Sequence, residues 1–257
     1  MQVQTLNEKS INTIAKSYNT LDYIPRLQEL LKIAYPKQDL TKRSKYELHQ
    51  CINDMIIAHY KGEDIFKYQL AQKHFDKKKI VAAFEIKVNK SRADFLTING
   101  CTRCYEIKSE LDNFSKFEKQ AADYLLAFEY NYLVVNNKNV NKALEKIPSN
   151  FGLWCYDNGE HISIKKAKLN TNIDPQVQLT LLTKKERTSN FKETGGIIKN
   201  IIRNYDTNQI NYIFKKTLKE RYRQRWMFLV TNKSSVLPID LQFFFNNNIN
   251  PNLIYIS

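Results

Sequence analysis

Between Lys79 and Lys108 the chain is written as three short strand-like runs: KIVAAFEIKV (79–88), RADFLTIN (92–99) and TRCYEIK (102–108). β-Branched and aromatic residues dominate them, and Asn99-Gly100 supplies a two-residue turn signal between the last two. Phe114–Glu129 then reads as an amphipathic helix with Phe117, Ala121, Tyr124, Leu125 and Phe128 on one face. Tyr130–Val135 (YNYLVV) is a buried strand, and Val140–Lys146 a short helix stopped by Pro148. Gly152–Tyr156 and His161–Lys165 form a hairpin around Asp157-Asn158-Gly159. This order of elements predicts an α/β fold with a mixed central sheet flanked by helices.

Helices precede the strands. Residues 1–35 read as helical, with Leu27, Leu30, Leu31 and Ala34 at helical spacing and Pro36 ending the run. Ser44–His59 carries an apolar stripe of Leu48, Cys51, Ile52, Met55 and Ile56, and Ile65–Phe75 is a shorter helix. At 42% hydrophobic residues, with 15 Tyr and 14 Phe, the chain has material for a core. No stretch approaches the roughly 18 apolar residues of a membrane span. The N-terminal MQVQTLNEKS is unlike a signal peptide, so the expected location is cytoplasmic. Only 6 Gly are present, and neither a Gly-x-Gly-x-x-Gly nor a Gly-x4-Gly-Lys-Ser/Thr pattern occurs, which argues against Rossmann and P-loop nucleotide sites. Cys101 and Cys104 have the spacing of half a zinc knuckle, but no second pair exists and the four His do not cluster near it. A hairpin turn explains them more simply.

Lys and Arg number 40 against 26 Asp and Glu, a net charge of +14 that points to a polyanionic partner, nucleic acid first. The excess is uneven. From Lys184 to Arg225 there are 12 basic and 4 acidic residues, a local net charge of +8 in a sixth of the chain. Apolar residues at Ile197, Ile198, Ile201 and Ile202, then at Ile210, Ile213, Phe214 and Leu218, suggest two helices there. The apolar, then Asn-rich, C-terminal run LQFFFNNNINPNLIYIS is expected to pack back on the core. The expected organisation is an N-terminal helical segment (1–39), an α/β core (40–168) and a basic, mostly helical C-terminal region (169–257).

The chemistry centres on Tyr105-Glu106-Ile107-Lys108. Side chains at i and i+2 of a strand share a face, so Glu106 and Lys108 point the same way. Antiparallel pairing through the Asn99-Gly100 turn brings Asp94 towards the Glu106 strand. Two carboxylates and an amine at one sheet edge suit metal-assisted phosphodiester hydrolysis, because Mg2+ takes hard oxygen ligands and a cation neutralises charge on the phosphorane. Glu85 and Lys87 form a second acidic–basic i, i+2 pair on the preceding strand.

Asp94, a dozen residues, Glu106-x-Lys108 after an apolar strand, and Gln120-Ala121-Ala122-Asp123-Tyr124 on the following helix together resemble the PD-(D/E)XK nuclease superfamily and its restriction-endonuclease-like fold. The Gln-x3-Tyr element is similar to that of RecB-like and lambda-exonuclease-like branches. The resemblance covers about 60 residues. It implies Asp94 and Glu106 as Mg2+ ligands (Mn2+ standing in) with the Ile107 carbonyl, Lys108 as the catalytic lysine, and Gln120 and Tyr124 touching the site or the DNA backbone. Glu85 would be an extra ligand or a water-orienting base. Ala93 stands where the family has Pro, and the acidic residue of the first helix would be Glu47 or Glu63. DNA is the expected partner, with RNA, a homodimer and an accessory protein left open. Tyr124, Arg92, Lys184, Lys185, Arg187, Lys215, Lys216, Lys219, Arg221, Arg223 and Arg225 are the expected contacts to it. The competing expectations are a non-catalytic nucleic-acid-binding protein on the same fold and a regulator that binds an acidic protein.

Overall fold

A computed structural model describes residues 7–60, 62–157 and 160–256. The chain divides into two compact units, one of Met1–Tyr68 with Phe228–Ser257 and one of Gln69–Met227. The 1–39 segment lies wholly in the first, while 40–168 and 169–257 are each divided between them. No helix among the described residues is long and apolar enough to cross a membrane.

The first unit is helical: α1 (Glu8–Ser17), α2 (Ile24–Ala34), α3 (Lys45–His59), the start of α4 (Glu63–Phe75) and, from the far end of the sequence, α11 (Leu241–Asn247) and α12 (Pro251–Tyr255). The single helical stretch expected over 1–35 is in fact two helices. Tyr18 and Thr20 in the break send their hydroxyls to the Asp240 carboxylate at 3.0 and 2.8 Å, and Pro25 in the first turn of α2 fixes the restart. Ser44 and Glu47 close a capping box on α3, and Glu63 pairs with Lys67 at 2.8 Å. Leu27, Leu30, Leu31, Leu48, Ile52 and Ile56 form the core. The C-terminal run packs on this unit. Tyr255 donates to Asp240 at 2.7 Å and sets its ring edge-on to His49 and Tyr46. Burial pushes the Asp240 carboxyl above its ordinary value, against the pull of hydrogen bonds from Tyr255, Thr20 and Tyr18.

The second unit is built on a six-stranded sheet in sequential order: β1 (Val81–Val88), β2 (Ser91–Ile98), β3 (Thr102–Lys108), β4 (Tyr130–Asn136), β5 (Gly152–Asp157) and β6 (Glu160–Lys165). The mixed sheet expected from sequence is present. β1/β2, β2/β3 and β5/β6 are antiparallel, while β3/β4 and β4/β5 are parallel. Each parallel step is spanned by a helix, α5 (Phe117–Leu125) or α6 (Val140–Lys146). Gly100 takes φ +72° at the Asn-Gly turn as expected; Asn158 and Gly159 of the second turn lie outside the described residues. Helix α5 is shorter than the expected 114–129. Glu129 is captured by the neighbouring strand, its N–H donating to Thr102 Oγ1 at 3.0 Å and its carboxylate accepting from Thr102 N–H at 2.7 Å.

One face of the sheet packs Leu133, Val135, Leu153 and Phe151 against Phe117 and Ala121 of α5 and Ala143 of α6. On the other face, Phe95 and Tyr105 lie beneath Phe75 of α4 and Trp226 of α10 (Thr207–Thr231). Helices α7 (Pro175–Leu181), α8 (Lys184–Asn190) and α9 (Ile198–Asn204) complete the unit. α9 and α10 are the two helices the apolar spacing predicts. α8 was not foreseen and starts on a second capping box, Thr183 with Glu186.

Candidate active site

The β-sheet register brings the three expected carboxylates into one row. Phe84 pairs with Phe95 and Ile86 with Ala93, so Glu85 stands across from Asp94. Phe95 pairs with Tyr105, so at the next position of that register Asp94 stands across from Glu106. Residues opposite one another on adjacent strands share a face. Here the β2–β3 ladder stops, and the Asp94 side chain takes over its role: Ile107 N–H donates to Asp94 Oδ2 at 2.7 Å. Carboxylate oxygens of Glu85 and Asp94 come within 4.8 Å of each other. Asp94 and Glu106 are buried, the latter to 1% exposure.

Glu106 is held at both oxygens. Lys108 Nζ donates to Oε1 at 2.5 Å, as the shared strand face requires, and Tyr124 OH donates to Oε2 at 2.7 Å from α5. Burial alone would lower the Lys108 ammonium; Glu106 first, then Asp94 and Asp112, outweigh it and hold the group above its ordinary value. Lys108 is therefore a fixed cation at neutral pH and not a base. Burial, then Glu106, pushes the Tyr124 hydroxyl far above its usual range, so it remains a donor.

Glu85 has φ +57° in the middle of a strand. A left-handed conformation costs a side-chain-bearing residue about 1–2 kcal/mol, and such strain gathers where function needs a particular side-chain direction. Its carboxylate pairs with the exposed Arg92. Gln120 lies one turn before Tyr124 on α5, and its Oε1 is shielded from solvent with no hydrogen-bond partner among the described residues. Asp123, not anticipated from sequence, ties α5 to the β1–β2 turn by accepting from Ser91 Oγ at 2.5 Å and Asn89 Nδ2 at 3.0 Å. Of the two candidates from the early helices, Glu47 is spent on its capping box. Hard carboxylate oxygens at the Glu85–Asp94 spacing fit a divalent cation such as Mg2+, which keeps much of its shell for water and phosphate.

A groove of about 650 Å³ adjoins Glu85, lined by Lys87 and Asn89 on the strand side and by Leu181, Arg221 and Tyr222 on the helix side. The basic helices prove heterogeneous. Arg221 makes a two-point bond to Glu186 at 2.7 and 2.5 Å, and Lys215 pairs with Glu129 at 2.7 Å. Arg187 donates to the carbonyls of Leu179, Leu182 and Gly196, and Lys219 to that of Lys79. These four expected nucleic-acid contacts help to hold the fold. Lys184, Lys185, Lys216, Arg223 and Arg225 are exposed.

The family model described as bacteriophage P4 protein cII matches residues 43–244. No curated protein matches the chain. A solved structure, a protein of unknown function (SPO1766) from Silicibacter pomeroyi, is similar at 17% identity and a TM-score of 0.34, covering 53% of this chain and 88% of its own.

Proposed function

We propose that the chain, which belongs to the bacteriophage P4 protein cII family, is a Mg2+-dependent nuclease acting on DNA through a site of PD-(D/E)XK type on a restriction-endonuclease-like core. The observation that supports this reading is the Glu85–Asp94–Glu106 row with the Lys108 amine hydrogen-bonded to Glu106 at its end. Asp94 and Glu106, with the Ile107 carbonyl, would hold the ion. When bound, Mg2+ supplies Lewis-acid polarisation of the phosphate and a water of lowered pKa.

The protein's own groups divide the remaining work. Lys108 neutralises charge that builds on the phosphorane oxygens, in a setting too dry for water to do so. Tyr124 fixes the rotamer of Glu106, and Asp94 is aimed by its bond to the Ile107 N–H. Glu85, the most accessible of the three through its side towards the groove, accepts the proton of the attacking water. Gln120 offers its amide to the phosphate chain, while Lys87 and the exposed lysines and arginines of α8 and α10 draw that chain in.

The test is cleavage of supercoiled, linear and single-stranded DNA, and of RNA, with Mg2+ or Mn2+. Wild-type protein is expected to cleave DNA, and Asp94→Asn and Lys108→Met to lose at least a hundredfold. Binding should weaken with a log–log salt slope of about −0.9 per phosphate neutralised. If every substrate survives both metals, the nuclease reading fails. One observation favours a second reading, a non-catalytic nucleic-acid-binding protein: Glu106 already has both oxygens engaged within the protein. Under it, DNA binding persists in EDTA and no cleavage exists to lose.

A further inference from the structure

The sheet face turned away from the carboxylate row carries an aromatic patch that the proposed reaction does not use. Over β1–β3 this face is closed by Phe75 and Trp226. Over β4–β6 it is only half-buried, and what it presents is aromatic: Tyr130, Tyr132, Trp154, Tyr156 and His161. Trp154 lies with its ring centroid 5.5 Å from Tyr132 and 5.8 Å from His161, and Tyr156 is 5.3 Å from His161. Gly152 lets the Tyr132 ring lie across β5, since a Cβ there would fall 2.4 Å from Cδ1 of that ring. Two cations sit over rings at the margin, Lys73 Nζ 4.5 Å from the Trp154 centroid and the Arg103 guanidinium 5.4 Å from that of Tyr130.

Polar groups beside the patch are shielded. Gln69 Oε1, His74 Nε2 and both ring nitrogens of His161 are shielded from solvent and have no hydrogen-bond partner among the described residues, and His74 is 6% exposed. Gln69 is oriented by donating its Nε2 to Tyr156 OH. These four atoms are closed off from the surface and do not meet a partner directly. Both imidazoles are neutral at physiological pH. Burial, then Lys77, Lys73, Arg103 and His161, takes His74 to about 3, and burial with Lys73 takes His161 to about 4. Neither therefore adds a charge to the patch.

Half-buried rings and peripheral cations match two parts of an unpaired nucleotide, a flat π face and a phosphate. A duplex conceals the first, and an acidic peptide would leave the ring faces without a counterpart. We propose that the aromatic patch of β4–β6, beside Lys73 of α4, binds an unpaired nucleotide of a single-stranded nucleic acid. The base stacks on the open side of the Tyr132–Trp154 pair, and its phosphate meets Lys73 and Arg103. The site lies on the opposite sheet face from Glu106 and does not depend on cleavage.

The experiment uses the full chain in EDTA, so the nuclease reading has no bearing on its outcome. A labelled 12-nucleotide single strand (oligo-dT and oligo-U in separate arms) and a blunt-ended duplex are titrated by anisotropy while tryptophan emission is recorded. The expected result is single strand bound at least about tenfold tighter than duplex, with quenching that disappears in Trp154→Phe, because the other tryptophan, Trp226, is buried. Lys73→Ala, at an exposed helix position, and Arg103→Ala each weaken binding between about fivefold and a hundredfold. A 5-iodouracil strand cross-links to Tyr132, Trp154 or His161. The proposal is overturned if duplex binds as well as single strand, if Lys73→Ala and Arg103→Ala bind within twofold of wild type, if cross-links map only to α8 and α10, or if an acidic peptide occupies the site and the oligonucleotide does not.

Discussion

Removing the Glu106 carboxylate strands two buried groups at once. The Lys108 side chain is 11% exposed with Nζ 2.5 Å from Oε1, and the Tyr124 hydroxyl donates to Oε2 from a fully buried side chain. Deleting one partner of a buried ion pair costs about 3–5 kcal/mol, and an orphaned buried hydroxyl about 1–3 kcal/mol more. The ammonium keeps some access to water, which puts Glu106→Ala at about 4 kcal/mol. In a unit of this size that is a fall of about 8–16 °C in Tm. Lys108→Met alone should cost about 3 kcal/mol, because it leaves the carboxylate with Tyr124 only. The pair Glu106→Gln with Lys108→Met removes both charges and keeps an acceptor for Tyr124, so it should return to within about 1.5 kcal/mol of wild type. Urea midpoints followed by circular dichroism close the cycle, with a coupling of about 2 kcal/mol or more between positions 106 and 108. A coupling below about 0.5 kcal/mol, the value of an exposed pair, would refute the closed buried network. The same numbers show why Glu106→Ala is a poor probe of catalysis: it confuses lost chemistry with lost structure.

Three further outcomes are expected. Glu85→Gly and Glu85→Ala both remove the carboxylate, but at φ +57° the glycine variant should be about 1 kcal/mol the more stable by thermal melting; equal stability would mean that Glu85 is not strained. Gly152→Ala should cost about 1–3 kcal/mol, because the new methyl meets the Tyr132 ring and lies 2.8 Å from the Ala167 nitrogen; an unchanged melt would show that both can yield. His74 and His161 have folded values of about 3 and 4, below the unfolded value of about 6.5. Their contribution is thus present above pH 6.5 and is lost as pH falls from there towards 4. His74→Gln should flatten the acid limb of a Tm–pH curve, and an unaltered limb would remove His74 from the account.

The parts of the site that follow from local periodicity were legible in the sequence. Two-residue alternation placed Glu106 and Lys108 together, and the Asn99-Gly100 turn set the register that carries Asp94 to the same row. The left-handed Glu85 was not legible, because no turn residue announces it. The roles of Arg187, Lys215, Lys219 and Arg221 were hidden for a different reason. A basic run looks the same whether its charges face solvent or carboxylates and carbonyls supplied by distant segments, and Lys215 finds its partner 86 residues away in Glu129. His74 and His161 are likewise 87 positions apart and meet only through the sheet. The helix expected at 114–129 ran four residues too far at its C-terminal end because Glu129 is a good helix former that β3 claims through Thr102.

The Asp240 carboxylate accepts from Thr20 and Tyr18, hydroxyls made 220 and 222 residues earlier. The intervening Gln69–Met227 is a complete compact unit on one uninterrupted stretch of chain. During synthesis at about 5–20 residues per second, α1–α3 therefore emerge first and wait about 10–45 s for the segment that completes their packing, while the sheet behind them already has all its strands. In that interval the Leu27, Leu30, Leu48 and Ile52 surface has only its own neighbours to cover it. The order of birth and the order of completion are therefore reversed in this chain.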